Sequence, residues 1–179
     1  MIGLWWIGDE EPDEAAMEHA RAQLESVFAD AVLFEHRRGV PPETFDARRR
    51  QTSSTRLLEW LADQRPPQAA RVVGVLASDL FIPVLTFVFG EAQLNGRSAV
   101  VSTARLGAPG APAGDKVLFS RLAKECVHEL GHTYGLTHCT DPRCVMSRSA
   151  SVIDVDTKTA TFCHDCSIRV ADAKRGLKP

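Results

Sequence analysis

The residues best suited to chemistry form one short stretch, which begins at His128 and reads H-E-x-x-H-x-x-G-x-x-H-C. His128 and His132 are four residues apart, so on a helix they share one face and can reach the same metal ion. Glu129 can contact a water on that ion without being a ligand. Gly135 tolerates the left-handed backbone that ends a helix, so the chain can turn back and bring in His138. The spacing predicts a hydrolytic zinc site.

Three neutral imidazoles can hold zinc and leave one coordination position for water. Zinc lowers the pKa of a bound water toward about 7, and Glu129 could take the proton and pass it to the leaving amine. An H-E-x-x-H pair alone can occur by chance in a charged helix, but the glycine and third histidine argue against coincidence. Tyr134 is interpreted first as a packing residue, with a catalytic role as the alternative.

The cysteines form a second constellation. Cys139 and Cys144 are a C-x4-C pair, and Cys163 and Cys166 are a C-x-x-C pair. Two close pairs separated by a loop are typical of a closed four-cysteine zinc site, which is structural because no position stays open. The alternatives are free thiols or a redox pair, although the thioredoxin-type context is missing. With the histidines, the cysteines predict two zinc ions per chain, of which the histidine-bound ion is the more labile.

Other residues near the motifs are interpreted as structural. Met146 follows His138 in the sequence and could lie beneath the histidines as an apolar floor, although a loop methionine usually just packs. His164, inside the C-x-x-C, could substitute as a ligand. The remaining candidates are interpreted as ordinary buried or solvated residues: His19, His36, Cys126, Asp154 and Asp156.

From His128 to Cys166 the chain reads H-E-x-x-H-x-x-G-x-x-H-C-x4-C-x-M-x16-C-x-x-C, which closely resembles the archaemetzincins, zinc-dependent metallopeptidases of the metzincin clan. The resemblance implies Glu129 as general base and Met146 as the Met-turn methionine. It also implies a compact mixed sheet with flanking helices and a cleft along an edge strand. The implied ligands are His128, His132 and His138 for a catalytic zinc, and Cys139, Cys144, Cys163 and Cys166 for a structural zinc.

The elements that must position these residues alternate as β-α-β-α-β, followed by two strands, a helix, a loop and a helix. This order predicts an α/β fold in one compact domain, 1–179, with a mixed sheet of about five strands flanked by helices. Residues 1–112 would hold the sheet, and residues 113–179 the active-site helix, the Met-turn and the cysteines. Strands are predicted at 4–7, 31–35, 71–77, 86–89 and 98–104, and helices at 12–28, 54–64, 115–134 and 163–174.

The short strand predicted at 86–89 is of the kind found at a sheet edge, where a peptide substrate could bind by strand addition. Residues 90–96 are predicted to be a connection, residues 37–51 an irregular stretch, and the chain after Met146 a polar loop. Residues 107–114 are rich in glycine, proline and alanine and are predicted to form a flexible loop.

Composition excludes several classes of function. Hydrophobic residues make up 44% of the chain, enough for a real core, and the net charge of −2 gives no electrostatic footprint for nucleic acid or an anionic membrane. The apolar run at 4–7 has no basic flank, so neither a signal peptide nor a membrane span is expected. A cytoplasmic monomer acting on peptides or unfolded proteins is the resulting expectation.

Three functional hypotheses follow. The first is a zinc metallopeptidase, and the second is a catalytically silent, zinc-stabilised domain that binds peptides or proteins. Glu129 favours the enzyme, because a metal scaffold needs no base at that position. The third, a four-cysteine module that binds nucleic acid, is disfavoured by the acidic charge balance.

Overall fold

The structure, a computed structural model, describes residues 1–107 and 114–176. In chain order its strands are β1 (Ile2–Ile7), β2 (Val32–Arg37), β3 (Phe45–Asp46), β4 (Gln51–Ser53), β5 (Arg71–Leu76), β6 (Leu80–Phe81), β7 (Gly90–Ala92) and β8 (Ser98–Ser102). The main sheet has five strands in the order β2-β1-β5-β8-β7. Four of them are parallel, and β7 runs antiparallel to β8 at one edge. The predicted mixed sheet is confirmed.

Five α-helices lie within the described residues, namely α1 (Glu14–Phe28), α2 (Ser54–Gln64), α3 (Lys116–Thr133), α4 (Val152–Thr157) and α5 (His164–Lys174), and a short 3-10 helix spans Pro42–Thr44. Helices α1 and α3 pack against each other on one face of the sheet, and α2 covers the other face. None of the described helices is both long and apolar enough to cross a membrane.

Strand β1 shows why both faces of the sheet are closed. All of its residues are buried, as its continuous apolar sequence predicts. Leu4 and Trp6 enter the core on the side of α1 and α3, whereas Trp5 and Ile7 enter the core on the side of α2. The alternation follows from the two-residue repeat of a strand. The central strands are therefore held rigidly between two apolar layers.

Side-chain caps fix where the helices begin. The Asp13 carboxylate accepts a hydrogen bond from the Ala16 N–H at 3.0 Å, and Ser53 caps α2. Asp115 accepts from the Val117 N–H at 2.9 Å at the start of α3. Such caps satisfy backbone donors that have no partner inside the helix. The cap of α3 sets the register of the motif that follows.

The edge strand lies at Gly90–Ala92 and not at the predicted residues 86–89. The carbonyl groups of Leu85 and Thr86 accept hydrogen bonds from the side chain of Arg49, and the residues 86–89 do not form a continuous strand. Residue 88 makes an isolated bridge to Leu80. The apolar run Phe87–Phe89 predicted a strand because it packs inward, and the prediction of a connection at 90–96 was wrong for its first three residues.

Two other stretches are more ordered than predicted. β3 lies within the stretch 37–51 and β4 begins at its last residue, and the two join β6 in a second, three-stranded sheet. The predicted polar loop after Met146 contains α4, which begins with a capping box between Ser151 and Asp154 and buries Val155. A helix of six residues buries too little apolar surface to show a periodic pattern. Most of the predicted loop at 107–114, residues 108–113, lies outside the described residues.

Candidate active site and metal centres

Helix α3 brings the first two histidines of the motif together. The Nε2 atoms of His128 and His132 lie 3.1 Å apart, and one ring nitrogen from each of these residues and from His138 falls within 4.8 Å of the others. A tetrahedral zinc ion with Zn–N bonds of about 2.0–2.1 Å holds its nitrogens about 3.3 Å apart. The three imidazoles therefore fit a single zinc ion.

Gly135 makes the turn that brings His138 back beside helix α3. Its φ is +89°, in the left-handed region that favours glycine. A Cβ atom at position 135 would also collide with the Asn95 side chain. The backbone N–H of Asn95 donates to the His132 carbonyl at 3.1 Å. The turn thus needs glycine for its backbone conformation and for space.

Backbone carbonyls orient two of the rings. The Nδ1 atom of His128 lies 2.7 Å from the Val145 oxygen, and Nδ1 of His132 lies 2.6 Å from the Leu136 oxygen. A carbonyl can only accept, so each Nδ1 carries the proton and donates it. Each Nε2 is then left with its lone pair free for a metal ion.

The environment keeps the imidazoles neutral, which is the form that binds metal. Burial lowers the pKa of His128 well below its usual value, and the nearby charge of Lys158 adds to the effect. Burial also lowers the pKa of His132 and of His138. Removing a ring from water disfavours its charged form.

Glu129 lies at the floor of a cleft. A cavity of about 520 Å³ opens on one side of it and a cavity of about 350 Å³ on the other, and both are lined by Gly90, His128 and His138. The residue is 6% exposed. Burial raises the pKa of Glu129 well above its usual value, and the neighbouring carboxylate of Glu125 raises it further. The carboxylate is thus a stronger base than a solvated one.

The edge strand β7 passes directly over this carboxylate. A Cβ atom built on Gly90 would lie 2.6 Å from Glu129 Cγ and 2.6 Å from the Val100 oxygen. Glycine at position 90 therefore lets the strand and the helix approach each other.

We expect Gly90→Ala to lower kcat/KM at least about tenfold, because the added methyl must displace Glu129 or the edge strand, while the free energy of unfolding falls by about 1–3 kcal/mol. Peptidase kinetics and thermal unfolding measure the two effects. Gly107→Ala is the matched control, since a Cβ there would meet nothing within 4 Å. Wild-type activity in Gly90→Ala would show that the approach is not needed.

Met146 packs beneath α3. It is fully buried, and a Cβ atom on Gly131 would lie 2.5 Å from its sulfur. Its carbonyl accepts a hydrogen bond from the Cys139 N–H at 2.9 Å. The methionine is therefore an apolar floor under the helix that bears the histidines, and its backbone is tied to the residue after His138.

The four predicted cysteines converge on one point. One sulfur from each of Cys139, Cys144, Cys163 and Cys166 lies within 4.8 Å of the others, and all four are free thiols. The Cys139 and Cys163 sulfurs are 3.8 Å apart, which matches the edge of a tetrahedron with Zn–S bonds of about 2.3 Å. The backbone N–H of Cys166 lowers the pKa of the Cys163 thiol. This group could hold a metal ion with no position left open.

Sequence comparison decides the family. The model of peptidase family M54 matches residues 62–172. The chain belongs to peptidase family M54. The archaemetzincin of Methanopyrus kandleri is 41% identical over 138 residues, which are 76% of this chain and 76% of that protein. The protein is therefore a zinc metallopeptidase, a hydrolase.

Solved structures of M54 peptidases share the fold. The crystal structure of archaemetzincin from Methanopyrus kandleri has a TM-score of 0.85 at 31% identity and covers 97% of this chain and 96% of that one. That of archaemetzincin from Archaeoglobus fulgidus, complexed with malonate, has a TM-score of 0.78 at 34% identity, with 93% and 99% covered. The predicted single α/β architecture is confirmed by this similarity.

Several residues of this M54 peptidase lie where their packing interpretation expects them. Tyr134 stacks on Phe28 with ring centroids 5.3 Å apart and lies under the guanidinium of Arg71. Cys126 is fully buried. His164 lies outside the group of four sulfurs. The contacts of Tyr134 and the burial of Cys126 favour structural roles for these two residues.

Sequence reasoning missed two cleft-side residues and one buried cation. Glu125 and Arg148 line the larger cavity, and Lys158 is buried against Glu125. The one available signal is that Glu125 precedes Glu129 by one helical turn, which places both carboxylates on the same face. Lys158 follows α4 in a stretch without a recognisable pattern.

Proposed function

We propose that this protein cleaves peptide bonds at a zinc ion held by His128, His132 and His138, with Glu129 as general base and a second, structural zinc on the four cysteines. One observation carries the proposal. Three ring nitrogens converge beside the buried carboxylate of Glu129, which lines both cavities of the cleft and can therefore reach water and substrate.

Zinc at the histidines would supply a water of lowered pKa and polarise the scissile carbonyl. The protein's own contribution begins with orientation, because Val145 and Leu136 hold the rings of His128 and His132 through their carbonyl groups. Fixed ligand geometry keeps the reacting centre where the substrate must bind.

Glu129 would move the proton. It accepts a proton from the attacking water and donates it to the nitrogen of the leaving amine. A carboxylate whose pKa is raised by burial is suited to both steps, because it takes up and holds a proton more readily than a solvated carboxylate. The carboxylate faces both cavities of the cleft and can therefore reach groups on either side of the bond.

Substrate would bind along β7. This strand pairs with β8 on one side and forms the edge of the sheet, so its other side faces the cleft. An extended peptide can add to such an edge by backbone hydrogen bonds. Cavities on both sides of Glu129 leave room for residues before and after the scissile bond. Peptides or unfolded segments are the substrates we infer.

Metal analysis tests the two-zinc arrangement. We expect about two zinc ions per chain, one of which a mild chelator removes together with the activity, because three neutral ligands hold zinc less tightly than four thiolates. Elemental analysis before and after dialysis, with recovery of activity on adding zinc, measures this. Full activity with a single, chelator-resistant zinc would contradict the assignment of the histidines.

A further inference from the structure

A buried ion pair lies beside the histidines and has no part in the chemistry described above. Lys158 Nζ is 2.8 Å from Glu125 Oε1, and the two side chains are 0% and 3% exposed. Taking two charges out of water costs several kcal/mol per ion, and an apolar pair of similar volume often serves stability as well or better. The position of this pair therefore calls for a reason other than stability.

The ammonium group of Lys158 touches three parts of the site. Besides Glu125 on α3, it lies 3.4 Å from the Nδ1 atom of His128 and 3.4 Å from the Ser147 carbonyl oxygen. Ser147 directly follows Met146. One buried cation thus joins the active-site helix, the first histidine and the turn beneath it.

The backbone around Lys158 is fixed by α4. Arg121 on α3 binds both carboxylate oxygens of Asp156 at 2.8 and 2.7 Å, and Lys124 donates to the Val155 carbonyl at 3.0 Å. The next residue, Thr159, donates its N–H to the Arg143 carbonyl at 2.8 Å. The contacts of α4 with α3, together with the Thr159–Arg143 hydrogen bond, therefore fix the position of Lys158.

The donor and acceptor roles of these groups indicate how Lys158 affects the orientation of His128. Its ammonium group only donates, and Nδ1 of His128 also donates, to Val145. The two donors cannot bond each other, so the ring faces the carbonyl. Glu125 lies three residues before His128 on the same helix, where side chains are neighbours. Without Lys158 this carboxylate would be a stronger acceptor than the carbonyl and could draw the ring away.

We propose that Lys158 is a positioning residue that occupies Glu125 and so keeps His128 turned with Nε2 toward the other two histidines. The inference rests on the proposed role of His128 as a metal ligand. Partners that orient a metal-binding histidine change metal affinity or activity by about 10–100-fold when removed.

The test compares the single variant Lys158→Met, which leaves Glu125 free, with the double variant Lys158→Met/Glu125→Leu, which removes both buried charges and leaves neither unpaired. In Lys158→Met, binding of Co²⁺ to the histidine site, followed by visible absorption in competition with a chelator, should weaken by about 10–100-fold, and kcat should fall more than KM rises. In the double variant no carboxylate competes for the ring, so cobalt affinity and the cobalt spectrum should return toward those of the wild type. Wild-type cobalt affinity in folded Lys158→Met, or no recovery in the double variant, would overturn the proposal.

Arg121→Met is the matched control, because Arg121 also joins α3 to α4 but its partners are Asp156 and the Leu106 carbonyl. It should leave the cobalt spectrum unchanged, and an equal loss there would assign the effect to docking of α4 and overturn the role of Lys158. If Lys158→Met does not fold, Lys158→Gln takes its place and should weaken cobalt binding in the same direction. Absence of cobalt at the histidines of the wild-type protein would instead contradict the proposed function.

Discussion

Glu129→Gln is expected to lower kcat/KM by about 10²–10⁴-fold, the usual contribution of a positioned general base. Glutamine keeps the shape of the side chain, so the approach of Gly90 is undisturbed, but its amide cannot accept and return a proton. The zinc content should not change, because Glu129 is not among the converging ligand atoms. Loss of turnover with full metal content is the signature of a base.

A peptide library compared between wild type and Glu129→Gln, with zinc content measured on the same samples, checks this expectation. Glu59→Gln is the matched control, since Glu59 is exposed on α2, and it should behave like the wild type. Equal turnover by Glu129→Gln and wild type would remove the support for a catalytic glutamate. A loss of zinc together with turnover would instead point to a ligand role.

Sequence was a good guide where local spacing determines position. His128 and His132 share a helix face by arithmetic alone, and Gly135 marks the turn because few other residues accept its backbone conformation. The two cysteine pairs are also local, although their convergence depends on the packing of α5 against the end of the motif.

Sequence was a poor guide where tertiary contacts decide. The run 86–89 looks like a strand, yet it makes only an isolated bridge to Leu80, and the Thr86 carbonyl at its start accepts from Arg49, which is distant along the chain. Lys158 has no local signal, because its partners come from α3 and the turn after Met146. Helix α4 is too short to show a period, and it is stabilised by contacts such as the one between Arg121 and Asp156. Such features become visible only when the chain is folded.

The two candidate metal centres adjoin each other in sequence and in space. Cys139 directly follows His138, and its N–H donates to the Met146 carbonyl at 2.9 Å. Cys139 also forms an isolated parallel bridge with Ser147. His138, the most exposed of the three histidines, is thus held by the Gly135 turn before it and by the cysteine group after it, so the structural site should support the third ligand.

Cys139→Ser is therefore expected to affect both sites. Loss of one thiolate should weaken the structural zinc and lower the free energy of unfolding by more than about 4 kcal/mol, the range associated with loss of a metal. The histidine site should also bind zinc less tightly, because the segment that carries His138 loses its anchor. Thermal unfolding and chelator competition measure the two effects.

Cys126→Ala is the matched control: it removes a buried thiol outside the group of four, so both zinc ions should stay. A folded Cys139→Ser protein with unchanged affinity at the histidines would show that the two sites are independent.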